Sequence, residues 1–225
     1  MLPGQPSSVP AVPLSLRRMA LGDLPFATEA HRKHFPQNVM GRLGRPFLRR
    51  YYRSFIESAQ AAATVAEIDG QICGYLVGIL DTREHRSWLL RRHGSALAVT
   101  ALPGLVFHPR LTTAVLARRV TRRLQRAFRP CRSGRHGEVQ GAVAVLSHVA
   151  VTEDARGRGV GHALVQEFVN EARVFGCDRI ALATVDGPGG AGPFYERRGW
   201  QLQGRTRTAD GRWIRLYDLK LRGAD

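Results

Sequence analysis

Lysine is almost absent from these 225 residues: of 34 basic side chains only Lys33 and Lys220 are lysines, and the rest are arginines. Carboxylates are few as well, 18 against those 34, and none falls between Glu84 and Glu138, a window that holds much of the formal charge of +16. No long hydrophobic run occurs. The longest apolar stretch, Ala96 to Phe107, is interrupted by Pro103-Gly104 and falls short of the roughly 20 residues a bilayer span needs. No basic segment leads into an apolar one at the start, so the four prolines of MLPGQPSSVPAVP are expected to form a flexible leader, residues 1–13, rather than a secretory signal, and a cytoplasmic location is expected. The three cysteines, Cys73, Cys131 and Cys177, have no paired spacing, which excludes a disulfide framework and gives no zinc site; no metal is expected. There is no internal repeat.

Apolar residues make up 44% of the chain and are spread over most of its length, enough for one substantial core. One domain over 14–221, with a short tail at 222–225, is the expected organisation. Leu14, Leu16 and Met19 alternate as in a short strand, and Asp23 can cap a helix to about Phe35. Pro46 can open a second helix to Ala59, with Phe47, Tyr51, Phe55 and Ala59 at four-residue spacing. ATVAEIDGQICGYLVGIL reads as a hairpin closed by Asp69-Gly70. AVAVLSHVAV, residues 142–151, reads as a strand buried on both faces. Val160, Leu164, Val165, Phe168, Val169 and Ala172 then form the apolar face of a helix ending near Gly176. RIALATV is another buried strand, AGPFYERRGW a short helix, and the last segment a hairpin turning at Asp210-Gly211. The order predicts an α/β fold with a mixed central sheet flanked by helices.

Residues 82–138 interrupt this pattern as a long basic insertion between the third and fourth strands. Within it Val120, Leu124 and Phe128 mark one stripe, and Arg118, Arg122 and Arg126 another, which predicts a basic amphipathic helix. Such a segment is a solvated face, a cover for the site, or a contact for an anionic partner over 109–135.

A buried strand followed by Gly157, Gly159 and Gly161 and then a helix is an arrangement suited to an anion. Glycines let the backbone bend sharply, and the first N–H groups of a helix have no internal partners. Their aligned dipoles attract negative charge, above all a diphosphate, and Arg156 and Arg158 can reach the same oxygens. The spacing R-G-R-G-V-G is neither G-x-G-x-x-G nor a loop ending in Gly-Lys-Ser/Thr, so the common nucleotide-binding loops are excluded.

VTEDARGRGVGHAL matches the R/Q-x-x-G-x-G/A signature of the GNAT superfamily of acyl-CoA-dependent N-acyltransferases, and AGPFYERRGW resembles its later motif around a Phe-Tyr pair. The resemblance covers roughly residues 14 to 221. It implies that acetyl-CoA is the co-substrate, with its pantetheine along Val149, Ala150 and Val151 and its pyrophosphate on the N–H groups of Arg156, Gly157, Arg158, Gly159, Val160, Gly161 and His162. It implies that Phe194 lies at the donor site. An N–H of Val149 or Ala150 would polarise the thioester carbonyl, and Tyr195 would protonate the departing thiolate.

The base is less determined. The family often places a carboxylate or histidine in the central strand, but position 145 is valine. His148 has a suitable intrinsic pKa, yet strand alternation sets it on the opposite face from Val145 unless a bulge reverses the parity. Glu67 and a water relayed from Ser147 are the alternatives. The implied function is transfer of acetyl to a primary amine of a peptide, protein, amino sugar or small metabolite. HRKHFPQNVMGRLGRPFLRRYY and the insertion would build the acceptor pocket. A second class stays open, a GNAT-fold module that binds acyl-CoA or is catalytically silent and uses its basic insertion on nucleic acid or an anionic membrane. A homodimer is compatible with either.

Overall fold

A computed structural model of the chain describes residues 14–36, 38–107, 142–208 and 211–221. The leader, the arginine stripe at 118–126, Asp210 and the tail at 222–225 lie outside these residues. Seven strands form one sheet in the order β1-β2-β3-β4-β5-β7-β6. They are β1 (Leu14–Arg18), β2 (Ala61–Ile68), β3 (Gln71–Ile79), β4 (Val143–Val151), β5 (Arg179–Val185), β6 (Gln201–Arg207) and β7 (Trp213–Lys220). Only the β4/β5 pair is parallel; the others are antiparallel. The expected β2–β3 hairpin forms, with Asp69 at φ 53° and Gly70 at φ 69°, the double left-handed turn that matches strand twist.

Helices cover both faces. On one lie α1 (Leu24–His34), the single turn α2 (Val39–Arg42) and α3 (Arg45–Glu57). Leu24, Ala27, Leu48, Tyr52 and Phe55 pack there against Ala63, Val65, Tyr75, Val77 and Ala150. On the other lie α5 (Val160–Val174) and the short α6 (Gly192–Glu196), where Leu164, Val165, Phe168 and Val169 meet Leu76, Ala144, Leu146 and Ile180. Burying each such side chain stabilises by about 1.5–3 kcal/mol. Phe168 lies so close to β3 that a Cβ on Gly78 would come within 2.3 Å of its ring, which is why that central strand position carries no side chain.

Several expectations need correction. Asp23 precedes α1, but its carboxylate does not cap it; it takes Arg17 Nη1 at 2.7 Å and the Ala20 N–H at 2.7 Å instead. The second helix runs over Arg45–Glu57, ending before Ala59, and α2 was not foreseen. The first part of the insertion is one helix, α4 (Thr82–Phe107), which passes through Pro103-Gly104. No helix among the described residues is long and apolar enough to cross a membrane. Finally, β4 is not buried on both faces throughout: Ala144, Leu146 and Ala150 are buried, while the residues between them are partly exposed.

Candidate active site

The site begins with an irregularity in β4. Val77 pairs with His148, but the next β3 residue, Gly78, pairs with Leu146, so Ser147 is an extra residue without a partner across the ladder. Such a bulge bends its strand and reverses the alternation of side chains beyond it. Before it Ala144 and Leu146 face the α5 layer; after it Val149 and Val151 face that layer, while His148 and Ala150 face the α1/α3 layer. The parity reversal that would bring His148 and Val145 to one face is therefore present.

The same place ends the parallel pairing. β4 and β5 pair from Val143↔Arg179 to Leu146↔Leu182 and no further, leaving Ser147 to Val151 unpaired on the β5 side. Backbone groups along that edge need partners from elsewhere, and the open seam suits an extended chain with amide groups.

At the top of the seam Gly157 (φ 77°) and Gly159 (φ 82°) turn the chain into α5 in conformations that side-chain-bearing residues rarely adopt. The first intrahelical bond runs from the Ala163 N–H to the Gly159 carbonyl at 3.0 Å, so the N–H groups of Val160, Gly161 and His162 precede it and project from the helix end. Arg156, Gly157, Arg158, Gly159 and His162 are exposed, and Val160 is buried beneath them as an anchor. The Arg156 guanidinium is held by His34 Nδ1 at 3.1 Å, and Lys33 pairs with Glu153 at 3.2 Å, tying the end of α1 to the loop. These residues fit a diphosphate: projecting N–H groups, a helix N-terminus and exposed guanidinium groups.

Phe194 lies beside this loop, close to the space over Gly161, and Arg198 lies over its ring at 3.8 Å. Arg198 also donates from Nε to His162 Nδ1 at 3.1 Å, adding a cation at the helix end that sequence reasoning missed. Only the arginine pair of FYERRGW hinted at it. Tyr195 sits in the same layer, 3% exposed, among Phe194, Trp200 and Tyr217. Burial raises its hydroxyl pKa above the ordinary tyrosine value. Asp186 bonds Arg205 and, at 2.6 Å, Arg215 Nε; Tyr217 donates to Glu196 at 2.6 Å. This network ties the segment that carries Tyr195 to β6 and β7.

On the opposite face His148 is packed among His31, Phe35, Tyr51 and Tyr52, with ring centroids 4.9, 5.4, 5.8 and 6.2 Å away. Burial, and then the neighbouring His31, lower its pKa to about 3. Burial likewise lowers His31 to about 4. Both rings are neutral at pH 7. His31 Nδ1 lies 2.6 Å from the Tyr52 hydroxyl, which lies 2.8 Å from that of Tyr75. If Tyr75 donates to Tyr52 and Tyr52 to His31, both tyrosine hydroxyl protons are used, and His31 carries its proton on Nε2, which has no hydrogen-bond partner among the described residues. Asn38 Oδ1 accepts the Met40 N–H at 3.0 Å, which turns its amide nitrogen toward His148 Nε2 at 3.5 Å, a weak contact. His31, Asn38, Tyr52 and Tyr75 were not singled out one by one; the first three lie within HRKHFPQNVMGRLGRPFLRRYY, the stretch assigned to the acceptor, but only the bulge shows which of its residues meet the strand.

Glu67 does not join this group: its carboxylate pairs with Arg17 at 2.7 Å, near the β1 edge of the sheet. Ser147 is the bulged residue itself. Cys73 and Cys177 are buried free thiols. No cluster of three metal-ligating side chains occurs among the described residues.

The sequence matches the profile of a family described as Acetyltransferase (GNAT) family over residues 27–200. No curated protein matches it in sequence. Among solved structures it resembles Arabidopsis thaliana NAA60 in complex with a bisubstrate analogue, at 14% identity and a TM-score of 0.60 over 94% of this chain and 100% of that one. It also resembles Ard1 from Thermoplasma volcanium, at 14% identity and 0.58 over 93% and 99%. A GCN5-related N-acetyltransferase from Kribbella flavida is similar at 18% identity and 0.58 over 92% and 98%. At these identities the likeness establishes the fold.

Proposed function

The chain belongs to the GNAT acetyltransferase family, whose co-substrate is acetyl-CoA, and from that premise we propose that it transfers acetyl to a primary amine by direct attack in a ternary complex. The observation that carries this reading is the coincidence of bulge and seam at Ser147: β4 leaves β5 where its side chains change faces. Tyr195 belongs to the layer on the α5 face of the sheet and His148 to the layer on the α1/α3 face, which supports giving them separate roles. Acid and amine-facing group are thus separated by the sheet, with the unpaired β4 edge between them.

When bound, acetyl-CoA supplies an activated acetyl group with a thiolate leaving group. The N–H groups at the start of α5, with Arg156, Arg158 and Arg198, hold the diphosphate. Val149 and Val151 line the seam, and an N–H of Val149 or Ala150 donates to the carbonyl oxygen that gains charge. Tyr195, kept protonated by burial, gives its proton to the leaving sulfur.

His148 acts as a neutral hydrogen-bond acceptor for the entering amine, replacing the weak contact with Asn38. With a pKa near 3 it does not retain the amine's proton at neutral pH, so that proton passes to solvent. Released CoA thiol, followed over a panel of peptide amines, amino sugars and small amines, tests the proposal. Amine-dependent release supports it, and absence of release with every acceptor contradicts it.

A further inference from the structure

Helix α3 has a second face that the acyl-transfer site does not use. Leu48, Tyr52 and Phe55 point to the sheet, whereas Arg45, Pro46, Arg49, Arg50 and Arg53 line an outer groove of about 360 Å³ with Leu24 of α1 and Thr100 of α4. The volume is at the lower end of the roughly 300–1,000 Å³ usual for small-molecule sites. Helix α3 stands between this groove and His148.

Charge accounting gives the groove its chemistry. Arg45 pairs with Glu29 at 2.6 Å, a carboxylate it shares with Arg32, and Arg53 pairs with Glu57. Arg49 and Arg50 form no hydrogen bond or ion pair among the described residues. At least the two guanidinium charges of Arg49 and Arg50 are therefore left over among the described residues, beside Leu24 and Pro46. A carboxylate would neutralise one, and so would each phosphodiester of a nucleic acid. A phosphomonoester carries about −1.5 to −2 at pH 7 and three acceptor oxygens, which suit paired guanidinium forks.

We propose that this groove binds a phosphomonoester whose phosphoryl group meets Arg49 and Arg50 and whose organic part rests on Leu24 and Pro46. The ligand chemistry is shared by two sources, a soluble phosphorylated molecule and a monoester lipid headgroup. The inference does not rest on acyl transfer.

Calorimetric titrations with phenyl phosphate and with inorganic phosphate test it, using protein saturated with acetyl-CoA and, separately, the Gly159→Glu variant, so that the loop before α5 cannot account for the signal. Phenyl phosphate is expected to bind more tightly than inorganic phosphate, and Arg49→Gln/Arg50→Gln to weaken it by about tenfold or more. Arg91→Gln/Arg92→Gln, on α4 outside the groove, is expected to leave it unchanged, as is the melting temperature of both double variants. Co-sedimentation with phosphatidylcholine vesicles containing phosphatidate forms the second arm. Arg49/Arg50-dependent sedimentation without binding of phenyl phosphate assigns the ligand to a lipid; the reverse assigns it to a soluble ester. Equal binding by wild type and the Arg49/Arg50 variant, or binding of neither probe, overturns the proposal.

Discussion

Tyr195 is buried and His148 is enclosed by the rings packed around it, and this enclosure affects the two in opposite senses. Burial disfavours the charged form, so it raises the tyrosine and lowers the histidine. Tyr195 thereby keeps its proton and His148 stays neutral, the states that their proposed roles require. Tyr195→Phe is expected to lower kcat by about 10² or more, the usual scale of a lost general acid, with acetyl-CoA affinity nearly unchanged; pre-steady-state thiol release with parallel calorimetry checks the split. The histidines also set a pH dependence. His31 and His148 are neutral in the fold down to about pH 4 and 3, whereas in the unfolded chain they protonate near 6.5. Between those values the unfolded state holds more protons, so the stability present above pH 6.5 is lost as pH falls. Each group adds a slope approaching about 1.4 kcal/mol per pH unit. Denaturant melts between pH 7 and pH 4.5 are expected to show this decline, and His31→Asn to flatten it.

At the scale of elements, the bulge in β4 and the start of α5 set the geometry. The pairing of β4 with β5 ends immediately before Ser147, and the bend of the bulge accounts for that departure. Deleting Ser147 is expected to leave a folded chain whose side chains keep their faces, since Leu146 and His148 would become direct neighbours on opposite sides. The seam, however, is expected to close, and acetyl-CoA affinity to fall by about tenfold or more; circular dichroism and calorimetry distinguish this from unfolding. Unchanged affinity would detach the seam from donor binding. Much of this level was legible beforehand. The Asp69-Gly70 hairpin, the apolar face from Val160 to Ala172 and the glycine turn before it follow from spacing, because local periodicity and positive φ are written in consecutive residues. The bulge was legible only as a condition, since a single extra residue depends on its neighbour's register. Asp23 was misassigned as a cap for a similar reason: Arg17 competes for its carboxylate from another element.

Across the whole molecule, the sheet has two packed faces, one under α5 and α6, to which the proposal gives the donor, and one under α1 and α3, to which it gives the acceptor. The mixed sheet and the helix layers could be read from element order, because alternating strands and helices admit few arrangements. The grouping around His148 could be read only as a stretch, HRKHFPQNVMGRLGRPFLRRYY, and not as individual residues. His31 on α1, Asn38 just before α2, Tyr52 on α3 and Tyr75 on β3 meet only through the fold. The long basic segment is described only as far as Phe107, where α4 ends, and the arginine stripe at 118–126 lies beyond the described residues.

If the β4/β5 seam and the start of α5 hold acetyl-CoA, thermal unfolding of wild type and Gly159→Glu, each with and without acetyl-CoA, will separate the two proteins. At about 100 times its dissociation constant the ligand adds about 2.7 kcal/mol of stability, which for a chain of this size raises the melting temperature by roughly 5–10 °C. Wild type is expected to show that rise and Gly159→Glu to lose it, because the new carboxylate would face the diphosphate. No rise in wild type, or an equal rise in the variant, would contradict the account.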